Sequence, residues 1–325
     1  MVINTPTQLK DKTRNLSQKS KLNPQEVQQM YFFERIIDRI SQSVDADNFI
    51  LKGGLLGSAL TGIASRTTMD MDATIRGIRM EEEVFASVLT EILQMPMNDN
   101  CEFTLEKIDG IRADSEYQDF RAHISVSFGS MRSTVKMDVT TGDAITPHEM
   151  QFFYPSLFSE QRYPIKAYPL ETVLAEKYET LCSRGDTTTR ARDFYDIFML
   201  YQLHKNEIDW DVFPAAVMAT ARKRGSADKL PLYQEIFESI TNSAKIRNEI
   251  WPNYCRDNLY VDPASFDAAM DTVMLIGKKL GFEPERKVSV DDEISRINEL
   301  RRKRLSEKKK DSMPDRTMEN EDPQH

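Results

Sequence analysis

Two carboxylates stand close together in the stretch Arg66-Thr-Thr-Met-Asp-Met-Asp72, at Asp70 and Asp72. If this stretch is a strand, residues i and i+2 project from the same face. Carboxylates that close raise each other's pKa unless a cation lies between them. Mg²⁺, or Mn²⁺ with the same preference for oxygen ligands, relieves that repulsion. The pair therefore predicts a divalent metal site.

A glycine pair lies upstream, in Phe49-Ile-Leu-Lys-Gly-Gly54, after an apolar run that predicts a strand ending at Lys52. A Gly-Gly turn that opens a helix presents bare backbone N–H groups and the positive end of the helix dipole, which suit a phosphate. A phosphate cradle at Gly53 and Gly54 and a metal pair therefore both fall within residues 49–74. This combination is the outline of a nucleotidyltransferase.

A third acid, Asp138, lies in the run Thr134-Val-Lys-Met-Asp-Val139, which predicts a strand. If that strand lies beside the one that carries Asp70 and Asp72, the three acids converge. The alternative is that Asp138 faces solvent at the end of the sheet.

One lysine interrupts an otherwise apolar helical stripe. Leu170, Leu174, Lys177 and Leu181 follow one face of a predicted helix. A lysine on such a stripe either extends its ammonium group to solvent or meets an anion. A nucleotide phosphate is the functional candidate for that anion.

Two acids share a face of the next predicted helix, Asp193 and Asp196, three residues apart. The structural alternative is that Asp193 only interacts favourably with the helix dipole near the N-terminus of that helix. Nearby arginines, Arg184, Arg190 and Arg192, could bind phosphates or pair with these acids. The sequence leaves both possibilities open.

The composition limits the function classes. A net charge of −9 and a pI near 5.2 argue against broad electrostatic coating of nucleic acid, so any RNA contact is expected to be local. The three cysteines are far apart and none lies in a CxxC, which favours neither a disulfide framework nor a zinc site. We expect no signal peptide and no membrane span, hence a cytoplasmic protein.

Periodicity and breaks divide the chain into five predicted segments. They are an N-terminal arm or short helix (1–23), a nucleotidyltransferase domain (24–146), a linker or crossing loop (147–169), a helical domain (170–281) and a charged, disordered tail (282–325). Within the second segment, runs at 102–108, 117–128 and 134–139 predict further strands. The expected fold class is α+β.

As a set, these motifs resemble those of the AbiEii/AbiGii-type nucleotidyltransferase toxins. These belong to the polymerase-β-like superfamily and occur in type IV toxin–antitoxin and abortive phage-infection systems. The resemblance runs from about residue 25 to 205. It rests on Phe49-Ile-Leu-Lys-Gly-Gly54, Arg66-Thr-Thr-Met-Asp-Met-Asp72, Val135-Lys-Met-Asp-Val139, Tyr168-Pro-Leu-Glu-Thr-Val-Leu-Ala-Glu-Lys177 and Arg190-Ala-Arg-Asp-Phe-Tyr-Asp196.

The resemblance implies a polymerase-β-like mixed sheet with flanking helices, followed by an all-helical domain. It implies that Asp70, Asp72 and Asp138 hold Mg²⁺ and that Asp138 helps to deprotonate the acceptor hydroxyl. Lys177 would meet the triphosphate. The remaining nucleotide-site candidates are Lys52, Gly53, Gly54, Ser58, Arg66, Asp193 and Asp196, with Gly57-Ser58 a second choice for the superfamily's Gly-Gly or Gly-Ser pair.

The expected reaction joins a nucleoside monophosphate from an NTP to an acceptor hydroxyl and releases pyrophosphate. Some relatives modify tRNA 3′ ends, so tRNA is the expected acceptor, and a cognate antitoxin is the expected partner. A protein hydroxyl as acceptor, in an AMPylation-like reaction, is the second enzyme hypothesis. A nucleotide-binding or interaction module without turnover is the non-enzyme alternative.

Overall fold

The computed structural model describes residues 3–62, 66–111, 119–282 and Arg302. Residues 1–283 form one compact unit, to which every element below belongs. Of the second unit, residues 284–325, only the helical residue Arg302 is described. The predicted charged tail therefore lies almost wholly outside the described residues.

In the described residues the sheet has seven strands, in the order β3-β4-β5-β2-β1-β7-β6. The strands are β1 (Phe49–Lys52), β2 (Met71–Ile75), β3 (Cys101–Gly110), β4 (Phe120–Phe128), β5 (Met131–Thr140), β6 (Met150–Pro155) and β7 (Arg162–Ala167). β2 pairs in parallel with β5, and β1 with β7, whereas the other neighbours are antiparallel. The sheet is therefore mixed, which confirms the predicted α+β class.

Helices flank this sheet and then follow it. They are α1 (Pro6–Ser20), α2 (Pro24–Gln42), α3 (Gly53–Thr61), α4 (Glu82–Leu93), α5 (Leu170–Arg184), α6 (Ala191–His204), α7 (Phe213–Arg224), α8 (Tyr233–Asn242), α9 (Trp251–Asp257) and α10 (Ser265–Leu280). α2 begins as its sequence predicts, because the Asn23 side chain accepts a hydrogen bond from the Gln25 N–H and Pro24 occupies the first turn. No helix in the described ranges is both long and apolar enough to cross a membrane.

The segment 147–169 differs from the expected linker or crossing loop, because it contains β6 and β7. These strands pair with each other, and the end of β7 extends the sheet beyond β1. The prolines of this segment are compatible with strands, because Pro155 ends β6. Pro164 precedes Lys166 and Ala167, the two residues of β7 that pair with β1, so no ladder on that side needs its missing N–H.

The register of the central strands positions the acids. Asp72 of β2 lies directly opposite Asp138 of β5 in the parallel pair. The condition under which the acids were expected to converge, that these two strands are neighbours, is therefore met. Asp70 immediately precedes β2, which begins at Met71, and is exposed.

The region from Leu170 to Leu280 is helical, as predicted. Aromatic side chains hold it together, including the edge-on pair Phe194–Phe266, which joins α6 to α10. The part of this region from Ala227 to Asp257 is not one continuous helix but a 3₁₀ turn, α8, a π-helical turn and α9. The break before α8 lies at Pro231, which cannot donate the helical hydrogen bond.

Candidate active site

The glycine turn between β1 and α3 packs directly onto the metal-site candidates. Gly53 has a φ of +63°, and the Gly54 N–H donates to Asp72 Oδ2 at 3.3 Å. A Cβ on Gly53 would lie 2.1 Å from Asp72 Oδ2, and one on Gly54 would lie 2.5 Å from Thr68 Oγ1. Both positions therefore require glycine, because the backbone must approach these side chains closely.

Asp72 lies in an electrostatically unfavourable place for a lone carboxylate. Burial raises the pKa of Asp72 above its ordinary value. Lys52 and the Gly54 N–H act in the opposite direction, while Asp138 and Asp70 add to the increase. Carboxylates supply only oxygen donors, which is the donor type that a hard divalent cation prefers.

Asp138 is engaged by a residue that the sequence analysis did not single out. Arg121, opposite Asp138 on the neighbouring strand β4, donates from Nε and Nη2 to its two carboxylate oxygens, each at 2.7 Å. Across the described ranges, no group of three His, Cys, Asp or Glu side chains is arranged to hold a metal ion. The alternation of apolar and polar residues along β4 is the one sequence signal that involves Arg121. That alternation does not show which residue of β5 lies opposite Arg121.

Lys52 contacts a polar cluster at the end of β5. Its Nζ donates to Asp143 Oδ2 and Thr140 Oγ1, each at 2.5 Å. Asp143 also accepts hydrogen bonds from Thr74 and from the Tyr168 hydroxyl. Although burial alone would raise it, Lys52 and the hydroxyls of Thr140 and Thr74 hold the pKa of Asp143 well below its usual value. No sequence pattern predicts this role for Asp143, an acid just past the end of β5.

Arg66 is a wholly buried connector between the glycine turn and α6. Its Nε and Nη2 donate to the two oxygens of Asp196 at 2.7 and 2.8 Å, and its Nη1 donates to the Gly54 carbonyl at 2.5 Å. Nη1 also donates to Ser58 Oγ, which in turn donates to the Gly54 carbonyl. Ser58 is buried, so its hydroxyl makes these hydrogen bonds inside the protein.

Lys177, the lysine within the apolar stripe of α5, binds carboxylates of the protein itself. Its Nζ donates to Asp196 Oδ2 at 2.6 Å and to Asp193 Oδ1 at 3.3 Å. Asp193 also accepts from Arg190 Nε at 2.8 Å. Burial of Asp196 opposes its ionisation, but Arg66 and Lys177 hold its pKa well below the usual value. Asp193 and Asp196 therefore hold three cations from different parts of the chain, namely Arg66, Lys177 and Arg190.

A cavity of about 360 Å³ lies between the glycine turn and α5 and α6. Its walls are Gly53, Gly54, Arg66, Val173, Glu176, Lys177, Glu179, Thr180, Ser183, Arg184, Arg190, Arg192, Asp193 and Arg224. The cavity thus brings the predicted Gly53, Gly54, Arg66, Lys177 and Asp193 together. The predicted metal acids lie outside these walls and adjoin them through the Gly54–Asp72 hydrogen bond.

The sequence matches the family model for the nucleotidyl transferase AbiEii toxin of type IV toxin–antitoxin systems, over residues 35–272. Similar solved structures include JHP933 from Helicobacter pylori, at 15% identity and a TM-score of 0.47, covering 86% of this chain and 99% of that one. An antigenic nucleotidyltransferase-like protein from Paracoccidioides brasiliensis has 17% identity and a TM-score of 0.36 over 64% of this chain and 92% of its own. CdnC of E. coli MS115-1, solved with ATP, has 12% identity and a TM-score of 0.26 over 87% and 95%. A comparison with curated proteins finds no match.

The matched residues 35–272 make up well over half of the chain and contain every candidate site residue named above. They run from within α2 to within α10, and so include the sheet as well as the helices that bound the cavity. The resemblance inferred from the motifs is thereby confirmed. This chain is a nucleotidyltransferase and belongs to the AbiEii toxin family of type IV toxin–antitoxin systems.

Proposed function

We propose that this toxin transfers a nucleotide from an NTP to the 3′ hydroxyl of tRNA, with Mg²⁺ or Mn²⁺ as its cofactor. One observation carries the proposal. The Gly53–Gly54 turn and Lys177 line a single cavity, and the same turn hydrogen-bonds to Asp72. A phosphate chain lying in this cavity would therefore meet backbone N–H groups and cations beside a set of carboxylates.

The metal candidates are Asp70, Asp72 and Asp138, whose oxygens suit a hard cation. When bound, the metal neutralises phosphate charge and lowers the pKa of the attacking hydroxyl. Asp138 would accept the proton of that hydroxyl at a carboxylate oxygen. For this, one of the two hydrogen bonds that Asp138 accepts from Arg121 would have to give way.

The other residues would position and neutralise the triphosphate. The acceptor oxygen attacks the α-phosphorus, the bond to the β-phosphate oxygen breaks, and pyrophosphate leaves with the electron pair. Such a reaction is promoted mainly by positioning and by fixed charges. The N–H groups of Gly53 and Gly54 would cradle the phosphates, for which the Gly54 N–H would have to give up its hydrogen bond to Asp72 Oδ2. The ammonium group of Lys177 would balance the phosphate charge.

Each of the two predicted domains would supply part of the site. Residues 24–146 would contribute the carboxylates and the glycine turn, and residues 170–281 would contribute Lys177, Asp193 and Asp196. The cytoplasm is where such an enzyme would meet NTPs and tRNA, and where a cognate antitoxin would restrain it. The proposal therefore includes a cytoplasmic location and a cognate antitoxin.

The test is incubation of the purified chain with each α-³²P-labelled NTP, Mg²⁺ and total tRNA. The double variant Asp70→Ala/Asp72→Ala is the inactive comparison, and Asp211→Ala, an exposed acid outside the site, is the matched control. We expect label to enter RNA with the wild type and the control only, and the best NTP names the nucleotide.

The same samples, together with a parallel reaction in a cell lysate, separate the alternatives. Label in the protein bands of a lysate, with none in RNA, would replace the tRNA acceptor by a protein hydroxyl. Equal labelling by the double variant would refute the assignment of the metal site. Binding of an NTP without labelling of any acceptor would favour a nucleotide-binding module.

A further inference from the structure

The register of the sheet places a lysine on the same face as two of the metal candidates. Lys52 of β1 lies directly opposite Asp72 of β2, and Asp72 lies directly opposite Asp138 of β5. Residues opposite each other in an antiparallel pair have their Cβ atoms about 5 Å apart on one face of the sheet. An ammonium group on a flexible four-carbon stem at this position could therefore pair with Asp72.

The Lys52 ammonium group takes other partners. Among the described residues its Nζ contacts Asp143 Oδ2 and Thr140 Oγ1, each at 2.5 Å, and forms no ion pair with Asp72. Burial raises the pKa of Asp72 and Lys52 opposes that increase, so the charge of Lys52 still acts on Asp72. Because Lys52 is only 9% exposed, its ammonium group depends on protein partners more than on water.

Asp143 is held in place by several donors besides Lys52. Its Oδ2 accepts hydrogen bonds from the hydroxyls of Thr74 and Thr140, each at 2.5 Å, and from the Tyr168 hydroxyl at 2.9 Å. Hydrogen bonds to an ionised carboxylate are stronger than those between neutral groups. The carboxylate of Asp143 is therefore a fixed negative charge that retains the ammonium group of Lys52.

The hydroxyls that hold Asp143 lie on the two strands that carry the metal candidates. Thr74 follows Asp72 at i+2 on β2, and Thr140 follows Asp138 at i+2 on β5. Each hydroxyl therefore projects from the same face as the carboxylate of its own strand. The cluster that binds the lysine thus adjoins the metal candidates along both strands.

We propose that Asp143 is a positioning residue, which keeps the Lys52 ammonium group out of contact with Asp72 so that Asp72 remains available to a divalent metal ion. This inference rests on the proposed function, because it takes Asp72 as a metal ligand. An ammonium group paired with Asp72 would compete with the metal for the same carboxylate oxygens, since both are cations. Asp143 prevents this competition by giving Lys52 a carboxylate of its own.

The test measures binding of Mn²⁺ alone to the 325-residue chain by electron paramagnetic resonance, for Asp143→Asn and for the double variant Lys52→Met/Asp143→Asn. Asparagine keeps the size of Asp143 without its charge, and methionine removes the ammonium group. We expect Asp143→Asn to weaken Mn²⁺ binding about tenfold and the double variant to bind within about twofold of the wild type. Asp47→Asn, which breaks an exposed pair with Lys166, is the matched control and should bind as the wild type does.

Recovery in the double variant distinguishes this role from support of the fold, because a lost structural contact is not repaired by removing its other member. A double variant that binds Mn²⁺ as weakly as Asp143→Asn would overturn the proposal, and so would undiminished binding in Asp143→Asn. Lys52→Met alone is the second variant should Asp143→Asn fail to fold. It should bind Mn²⁺ at least as tightly as the wild type, and weaker binding would overturn the proposal.

A crystal structure of metal-free Asp143→Asn separates this inference from the proposed function. We expect the Nζ of Lys52 to move to a hydrogen-bond distance of about 3 Å from a carboxylate oxygen of Asp72. A lysine that stays on Thr140 would overturn the inference even if the wild type labels RNA. Mn²⁺ binding that survives Asp70→Ala/Asp72→Ala would refute the metal site of the proposed function, and the crystal structure would still decide whether Asp143 keeps Lys52 from Asp72.

Discussion

Arg66 and Asp196 lie 130 residues apart in the chain and form a buried ion pair with two hydrogen bonds, at 2.7 and 2.8 Å. Each side chain is 1% exposed. Because Arg66 also donates to the Gly54 carbonyl, the pair connects the glycine turn to α6. Two residues expected at the nucleotide therefore support the glycine turn from inside the protein.

Removing one member of this pair should destabilise the whole unit. Asp196→Ala leaves the Arg66 guanidinium buried without its carboxylate, and breaking a buried pair in this way costs about 3–5 kcal/mol. Urea unfolding followed by circular dichroism measures the loss. Asp257→Ala, which breaks an exposed ion pair with Arg256, should cost less than about 1 kcal/mol. Equal losses in the two variants would contradict the supporting role of Asp196.

The contribution of Asp196 to stability should depend on pH. Its pKa is lower in the folded than in the unfolded chain, so its stabilisation is fully present above the unfolded value of about 4. It is lost as pH falls below that value through the folded pKa. We therefore expect the difference in unfolding free energy between wild type and Asp196→Asn to be constant from pH 7 to 5. It should shrink below about pH 4, and a difference that grows on acidification would show the opposite sign.

Gly53→Ala should abolish activity, whereas Gly225→Ala should not. Both glycines have positive φ, +63° and +69°, so an alanine costs each about 1–2 kcal/mol of backbone strain. Only at Gly53 would the added Cβ collide with Asp72, whereas nothing lies within 4 Å at Gly225. Labelling of tRNA should fall at least 100-fold in Gly53→Ala and remain near wild type in Gly225→Ala. Retained activity in Gly53→Ala would mean that the close approach to Asp72 is not needed.

Arg121→Gln should lower the Mg²⁺ concentration that gives half-maximal transfer. Arg121 neutralises Asp138, and removing a cation from beside the carboxylates strengthens their attraction for a divalent ion. We expect a decrease of roughly two- to tenfold at constant ionic strength. Arg76→Gln, which removes a partly exposed arginine paired with Glu149, is the control. A higher Mg²⁺ requirement would show instead that Arg121 orients Asp138 for the ion.

Much of the candidate site could be predicted because its signals are local. A Gly-Gly turn after an apolar run, two acids at strand spacing and a lysine on an apolar helical stripe each occupy a few neighbouring residues. The placement of Asp138 beside Asp72 needed only one further assumption, that β5 and β2 are neighbours, which the structure confirms. The same local periodicity predicted β4 and the helices α5 and α6.

The features that could not be predicted from the sequence share a different cause. β6 and β7 were missed because β7 is stabilised as a strand by pairing with β1, a segment more than a hundred residues away. Arg121 and Asp143 were missed because their partners lie on other strands. In each case the information is a register between distant segments.

The sequence by itself determined the nucleotidyltransferase class of this protein, because the motifs that indicate this class each occupy a few neighbouring residues. The tertiary structure alone decided which charges are used internally. Arg66 and Lys177 are neutralised by Asp196, and Lys52 is paired with Asp143. The reason is that desolvation and ion pairing depend on which residues meet after folding, and the strength of both is set by burial.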